Sequence, residues 1–190
     1  MVRRYAPDRP VAPETVDELL HYGLRAPSAG FTQGVSFLVL IEEAVRRFWA
    51  VTSAGPNRWL DGMSGAPVLI LVWTDRGAYE RRYAEPDKGW PAEDQPWTTP
   101  FWYVDGGMAA QNILLGATDR GLGACFFGVP LERLDAVRAE FGVPEDQASV
   151  GVISLGWPGE DQQTGGSPSR RTRKPADALI HHGQWTAGAA

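Results

Sequence analysis

The stretch APVLILVW, Ala66 to Trp73, carries no polar side chain. It shows neither the alternation of a half-exposed strand nor the length of a helix, and so reads as a strand covered on both faces. The rest of the chain must therefore supply apolar layers above and below it. VSFLVLI, from Val35, and SVGVISLGWP, from Ser149, read as further buried strands, and GACFFGV, from Gly123, as a short strand or loop.

Between these lie helical patterns. Pro13 suits a first helical position, and Val16, Leu19, Leu20 and Leu24 follow on one face until Pro27 disfavours continuation. EEAVRRFWAV predicts a helix with Val45, Phe48 and Trp49 on one side, and PLERLDAVRAEFG an amphipathic helix opened by Pro130. In WYVDGGMAAQNILLGATDRGLG, residues Val104, Met108, Ala109, Ala110, Ile113, Leu114, Leu115 and Ala117 leave little polar face, which predicts a central helix. Gly106, Gly107, Ala109, Ala110 and Gly116 are small enough for other elements to cross it closely. Residues 76–101 are rich in Pro, Trp and charge without period, and are expected to form an excursion and possible lid. The tryptophans of WPAEDQPWTTPFW, Trp90 to Trp102, fit either a packed irregular loop or a stacking surface for a planar ligand. There is no internal repeat, and 190 residues suffice for a single domain, 1–190, of two or three layers, α/β or α+β.

Several function classes drop out. No apolar run reaches membrane-spanning length, and MVRRYAPDRP has no apolar core behind its charges, so neither a spanning helix nor a signal peptide is expected and the location reads as cytoplasmic. One cysteine, Cys125, excludes an intrachain disulfide and a cysteine-based metal cluster. A net charge of −5 argues against a nucleic-acid surface. The chain has no phosphate-binding lysine loop, nucleophile elbow, zinc-binding helix motif or usefully spaced acidic pair. GLGACFFG follows a helix and has the wrong third spacing for a dinucleotide fingerprint. His21 lies on a predicted helix, and His181 and His182 would face opposite sides of any strand; structural roles suit all three. What remains is a turn at PSAG, a loop around Cys125, and the basic cluster Arg170, Arg171, Arg173 and Lys174. Taken singly, these read as a plain turn, a buried small side chain and a solvated tail.

Taken in order, RRYAPDRPV, APSAGFTQG, GMAAQNILLGATDRGLG, CFFG, LGWP and RKP resemble the flavin-dependent nitroreductase-like family, over about Arg3 to Trp185. The resemblance implies an α+β fold with a central, mostly antiparallel sheet flanked by helices. It also implies an intertwined homodimer that binds FMN noncovalently at its interface and takes hydride from NADH or NADPH. Arg3, with Arg4 beside it, would place a cation at the ring edge where negative charge accumulates on reduction. Pro27, Ser28 and Ala29 would lie beside the isoalloxazine, by expectation that of the partner chain, with Gln33 at the ring or ribityl chain. Backbone groups of Ala124, Cys125, Phe126, Phe127 and Gly128 would face the edge where hydride enters, and Arg171 and Arg173 would hold the phosphate. No catalytic acid or base is required of a side chain.

Members usually carry an Arg-Arg/His-Ser triplet just before the position of Met1, where it holds phosphate. Its absence implies either an upstream coding start or reliance on Arg171 and Arg173. The resemblance favours ping-pong reduction of a nitroaromatic, quinone or similar electron-poor acceptor. Beside it stand a flavin-cleaving or dehalogenating branch of the same fold and a flavin-binding or sequestering protein without turnover.

Overall fold

The computed structural model describes residues 1–6, 8–56, 58–160, 162 and 171–185. Its centre is a four-stranded sheet in the order β1-β2-β4-β3, formed by β1 (Val35–Ile41), β2 (Val68–Asp75), β3 (Gly123–Phe127) and β4 (Gln147–Gly156). Every pairing is antiparallel, which resolves the layer question in favour of α+β. As expected of an unbroken apolar run, β2 is an interior strand buried on both faces. Val68, Ile70 and Val72 meet helices α1 (Pro13–Leu24) and α5 (Phe101–Asp119) through Leu19, Ala110, Ile113 and Ala117. Leu69, Leu71 and Trp73 meet α2 (Glu43–Thr52) and α6 (Leu134–Phe141) through Val45, Phe48, Trp49 and Val137. Alternate residues of one strand thus serve two cores.

Several expectations needed correction. β1 is an edge strand rather than a buried one, and only Leu40 in it is fully buried. Pro130 opens a short 3₁₀ turn, Leu131–Arg133, and α6 begins after it. Near the C-terminal end of the described residues, His181 stacks on Trp185 at 4.1 Å between ring centroids. The excursion begins as a helix, α4 (Arg76–Tyr83), whose hydrophobic signal is weak because Tyr79 is its only buried residue while Arg76 and Glu80 pair on its surface.

Helix α5 is covered on one side only. Gly106 and Gly116 do lie at close crossings: a Cβ on Gly106 would sit 2.7 Å from Val150, and one on Gly116 2.7 Å from Tyr22. Gly107 instead faces open space. On the far side, Val104 and Leu115 are 40% and 59% exposed, against the expectation of all-round burial. With Phe101, Met108 and Gln111 they form a largely apolar stripe at the 3–4 residue spacing of one helix face.

Candidate flavin site

Two half-sites lie on opposite edges of the sheet. The first joins the N-terminal segment to β3. Val2 N–H donates to Ala124 O at 3.0 Å, so the chain before Tyr5 runs alongside that edge strand. Tyr5 anchors the segment: it is 4% exposed, its hydroxyl lies 2.7 Å from Ser154 Oγ, and burial pushes its phenol well above the ordinary tyrosine range. The anchoring leaves Arg3 exposed beside Cys125. Burial raises the Cys125 thiol and the Arg3 guanidinium partly opposes the rise. Arg4 contributes its carbonyl, which accepts from Gly159 N–H at 3.0 Å.

The pleat of β3 divides its side chains. Ala124 and Phe126 pack with the α1–α5 layer, while Cys125 and Phe127 enter the opposite core. Phe127 stacks on Trp49 at 5.7 Å and meets the edge of Trp59 at 5.3 Å. Of Ala124 to Gly128, the Cys125 side chain is committed to the core, so its contribution to a ligand is limited to backbone groups, while Phe127 packs against that core only in part. Gly128 is exposed at the mouth of a cleft of about 220 Å³ walled by Trp49, Trp59 and Phe127.

The second half-site is the loop between α1 and β1. Its backbone takes conformations that side chains resist: φ is +64° at Gly30, +57° at Phe31 and +55° at Gln33. The two non-glycine residues each cost about 1–2 kcal/mol. Strain of this kind persists only when neighbours over-determine it. Here Ser28 Oγ accepts from Gln33 N–H at 3.0 Å, Thr32 Oγ donates to Ala29 O at 2.6 Å, and Arg82 Nε donates to Gly30 O at 2.8 Å. From beneath, Asp105 Oδ2 accepts from Ala29 N–H at 2.8 Å. Pro27, Ser28, Gln33, Phe37 and Asp105 line a cavity of about 170 Å³, with Pro27 and Gln33 exposed at its rim.

Three interstrand steps separate β1 from β3, roughly 14 Å. The structure brings Arg3 and Arg4 to Ala124–Gly128, and Pro27, Ser28 and Ala29 to Gln33, but within one chain it does not bring these two groups together. Arg171 and Arg173 are exposed and make no hydrogen bond or ion pair with any other described residue. Arg170 lies outside the described residues.

The tryptophan-rich excursion packs on itself. Tyr83, Trp90 and Trp97 form a triangle with centroids 4.7–4.9 Å apart, and Trp102 joins Trp97 at 5.8 Å. Tyr83 also lies against Gly30, where a Cβ would approach its ring to 2.8 Å. The knot thus buttresses the strained loop, which accounts for these tryptophans without a ligand.

Sequence reasoning missed Asp105, Tyr79 and Arg82. One signal was available: Asp105 is the only charged residue between Phe101 and Thr118, in a helix that is otherwise apolar, small or neutral up to its last residue, Asp119.

The sequence pattern that defines the Nitroreductase family matches residues 1–157. This chain belongs to the nitroreductase family. A protein of Methanothermobacter thermautotrophicus provisionally assigned as an NADH dehydrogenase/NAD(P)H nitroreductase is 33% identical over 166 residues, 86% of this chain and 75% of its own. The NADPH-flavin oxidoreductase of Vibrio harveyi is 28% identical over 93% of this chain and 67% of its own. A provisionally assigned nitroreductase of Desulfovibrio desulfuricans, solved in complex with FMN, superimposes with a TM-score of 0.70 at 26% identity, over 97% of this chain and 92% of that one. The α+β fold of this family member, an antiparallel sheet flanked by helices, is therefore the expected one. Because the family match stops at Trp157, Arg171 and Arg173 fall outside it. No described helix is long and apolar enough to cross a membrane.

Proposed function

We propose that the chain is an FMN-dependent oxidoreductase that uses NAD(P)H to reduce electron-poor acceptors such as nitroaromatics or quinones, and that it works as a homodimer. The observation that carries this reading is the split site. A cation beside an edge strand and a strained carboxamide-bearing loop lie on opposite edges of one sheet, and two copies would complete each other's halves. The apolar stripe of Phe101, Val104, Met108 and Leu115 is the surface that such a pairing would bury.

The residues present suit FMN. The exposed Arg3 guanidinium matches a ring edge that becomes negative, and forked guanidinium donors at Arg171 and Arg173 match a phosphate. When bound, FMN would supply the hydride and electron transfer between NAD(P)H and the acceptor. The chain's own part is to orient and polarise. Arg3 stabilises charge at one edge, the β3 backbone presents fixed dipoles along another, and Ser28 and Gln33 fix the ring from the second copy.

The first test is the visible absorption spectrum with and without added FMN. Oxidised-flavin bands that bleach on anaerobic addition of NADH or NADPH, and return on adding a quinone, support the assignment. A protein that binds FMN but does not bleach with either nicotinamide would be a flavin-binding protein without turnover. Arg173→Ala tests the phosphate assignment separately. Loss of a charge-assisted contact weakens FMN binding about tenfold or more, and unchanged retention refutes the assignment.

A further inference from the structure

Asp105 sits in the second turn of α5 and is only 2% exposed. One oxygen, Oδ2, accepts from both Ala29 N–H and the Tyr79 hydroxyl, each at 2.8 Å. The first bond holds the entrance of the Pro27–Gln33 loop. The second acts at its exit: a Cβ on Gly34 would lie 2.6 Å from the Tyr79 ring, so the backbone there is pressed against the aromatic edge. Gly34 O in turn accepts from Thr74 Oγ at 3.1 Å and from Asp75 N–H at 2.9 Å, which ties the exit to β2. Both ends of the strained loop are thus referenced to one carboxylate oxygen on α5. The other oxygen accepts no hydrogen bond from any described residue, and Asp105 lines the same cavity as Ser28 and Gln33.

We propose that Asp105 is a positioning residue for the flavin: through Ala29 N–H and Tyr79 it holds Ser28 and Gln33 in the one loop conformation that presents them to the isoalloxazine ring. The proposal rests on the reading that this loop faces FMN. It differs from a plain packing role in what it makes depend on the hydrogen bonds. Packing is sensitive to volume, whereas positioning is sensitive to whether an acceptor remains at Oδ2. Asn separates the two, because its carboxamide oxygen can accept from both Ala29 and Tyr79 while its NH₂ replaces the oxygen that accepts no hydrogen bond from any described residue.

The experiment compares D105A, D105N, Y79F and S28A by FMN affinity, read from flavin fluorescence quenching. It also follows the rate at which NAD(P)H bleaches the flavin at saturating FMN, and the melting temperature without cofactor. D105A should weaken FMN binding ten- to a hundredfold, the factor that a hydrogen bond to a charged acceptor is worth, and slow bleaching even when FMN is saturating. D105N should recover most of both losses, and Y79F, which keeps the Ala29 bond, should fall between wild type and D105A. If D105A does not fold, adding Y79F to D105N must lower FMN affinity further. Wild-type affinity and bleaching in D105A overturn the proposal whatever its melting temperature, as do equal losses in D105A and D105N. If S28A weakens FMN binding while D105A is silent, the loop faces the flavin but Asp105 does not position it. If both are silent, the placement of the flavin falls as well.

Discussion

Gly62 tests how rigidly the fold holds Arg3. It lies in helix α3 (Arg58–Met63), and a Cβ built on it would sit 2.2 Å from the carbonyl oxygen of Arg3, where ordinary contact begins at 3.4 Å. In Gly62→Ala the obstructing atom is backbone, so the N-terminal segment itself has to retreat by more than an ångström. That retreat is opposed by Val2 N–H to Ala124 O, Gly159 N–H to Arg4 O and Ala6 N–H to Trp157 O, at 3.0, 3.0 and 2.9 Å, and by the buried Tyr5 hydroxyl. Overpacking costs about 1–3 kcal/mol and a disturbed hydrogen bond about 1 more. Alanine regains about 1 kcal/mol over glycine inside a helix. The net is a destabilisation of about 2 kcal/mol, a melting temperature lower by roughly 4–8 °C for a chain of this length. FMN affinity should fall with it, since Arg3 rides on the displaced segment. The control is Gly65→Ala, three residues on, where the nearest atom to the new Cβ is 3.6 Å away; both properties should be retained. A Gly62→Ala protein with an unchanged melting curve and unchanged FMN affinity would refute the claim that the segment is locked against α3.

Leu115→Asp places a charge on the open stripe of α5, where Leu115 is 59% exposed; a dimer by size-exclusion chromatography should become a monomer and lose its flavin together, and a flavin-loaded monomer would sink the shared-site reading. Trp97→Ala removes the hub of the aromatic knot, its centroid 4.7 Å from Tyr83 and 4.9 Å from Trp90. Limited proteolysis should then cut within 84–100 while amides of β2 remain protected from exchange; equal sensitivity to wild type would mean that the knot does not hold the excursion. Stability should also fall at alkaline pH. The Cys125 thiol and the Tyr5 and Tyr79 phenols are all raised, chiefly by burial. A raised acid holds its proton longer when folded, so its contribution is intact below the unfolded-state value and is lost as pH rises beyond it, here from about pH 8.5 for the thiol and about 10 for the phenols. Urea midpoints measured from pH 7 to 11 check this, and Tyr5→Phe should flatten the upper part of the decline.

The sequence by itself determined the layers. APVLILVW could only be an interior strand, Pro13 and Pro27 bounded α1, and the ordered motifs were specific enough to mark the family, because each depends on residues close together in the chain. It did not determine the edges. β1 is apolar enough to read as buried, yet strand order left it at the rim, and no local pattern encodes which strand lies outermost. Nor did it reveal that α5 is bare on one face, since an exposed apolar stripe and a stripe facing a core are made of the same residue types. Tertiary structure alone decided that Arg3 and Gln33 lie on opposite edges. It also brought Asp105 beneath Ala29, 76 positions away, and turned the tryptophans of the excursion onto one another. Those outcomes depend on long-range contacts. The local sequence fixes which side chains are available, and chain topology fixes which of them meet.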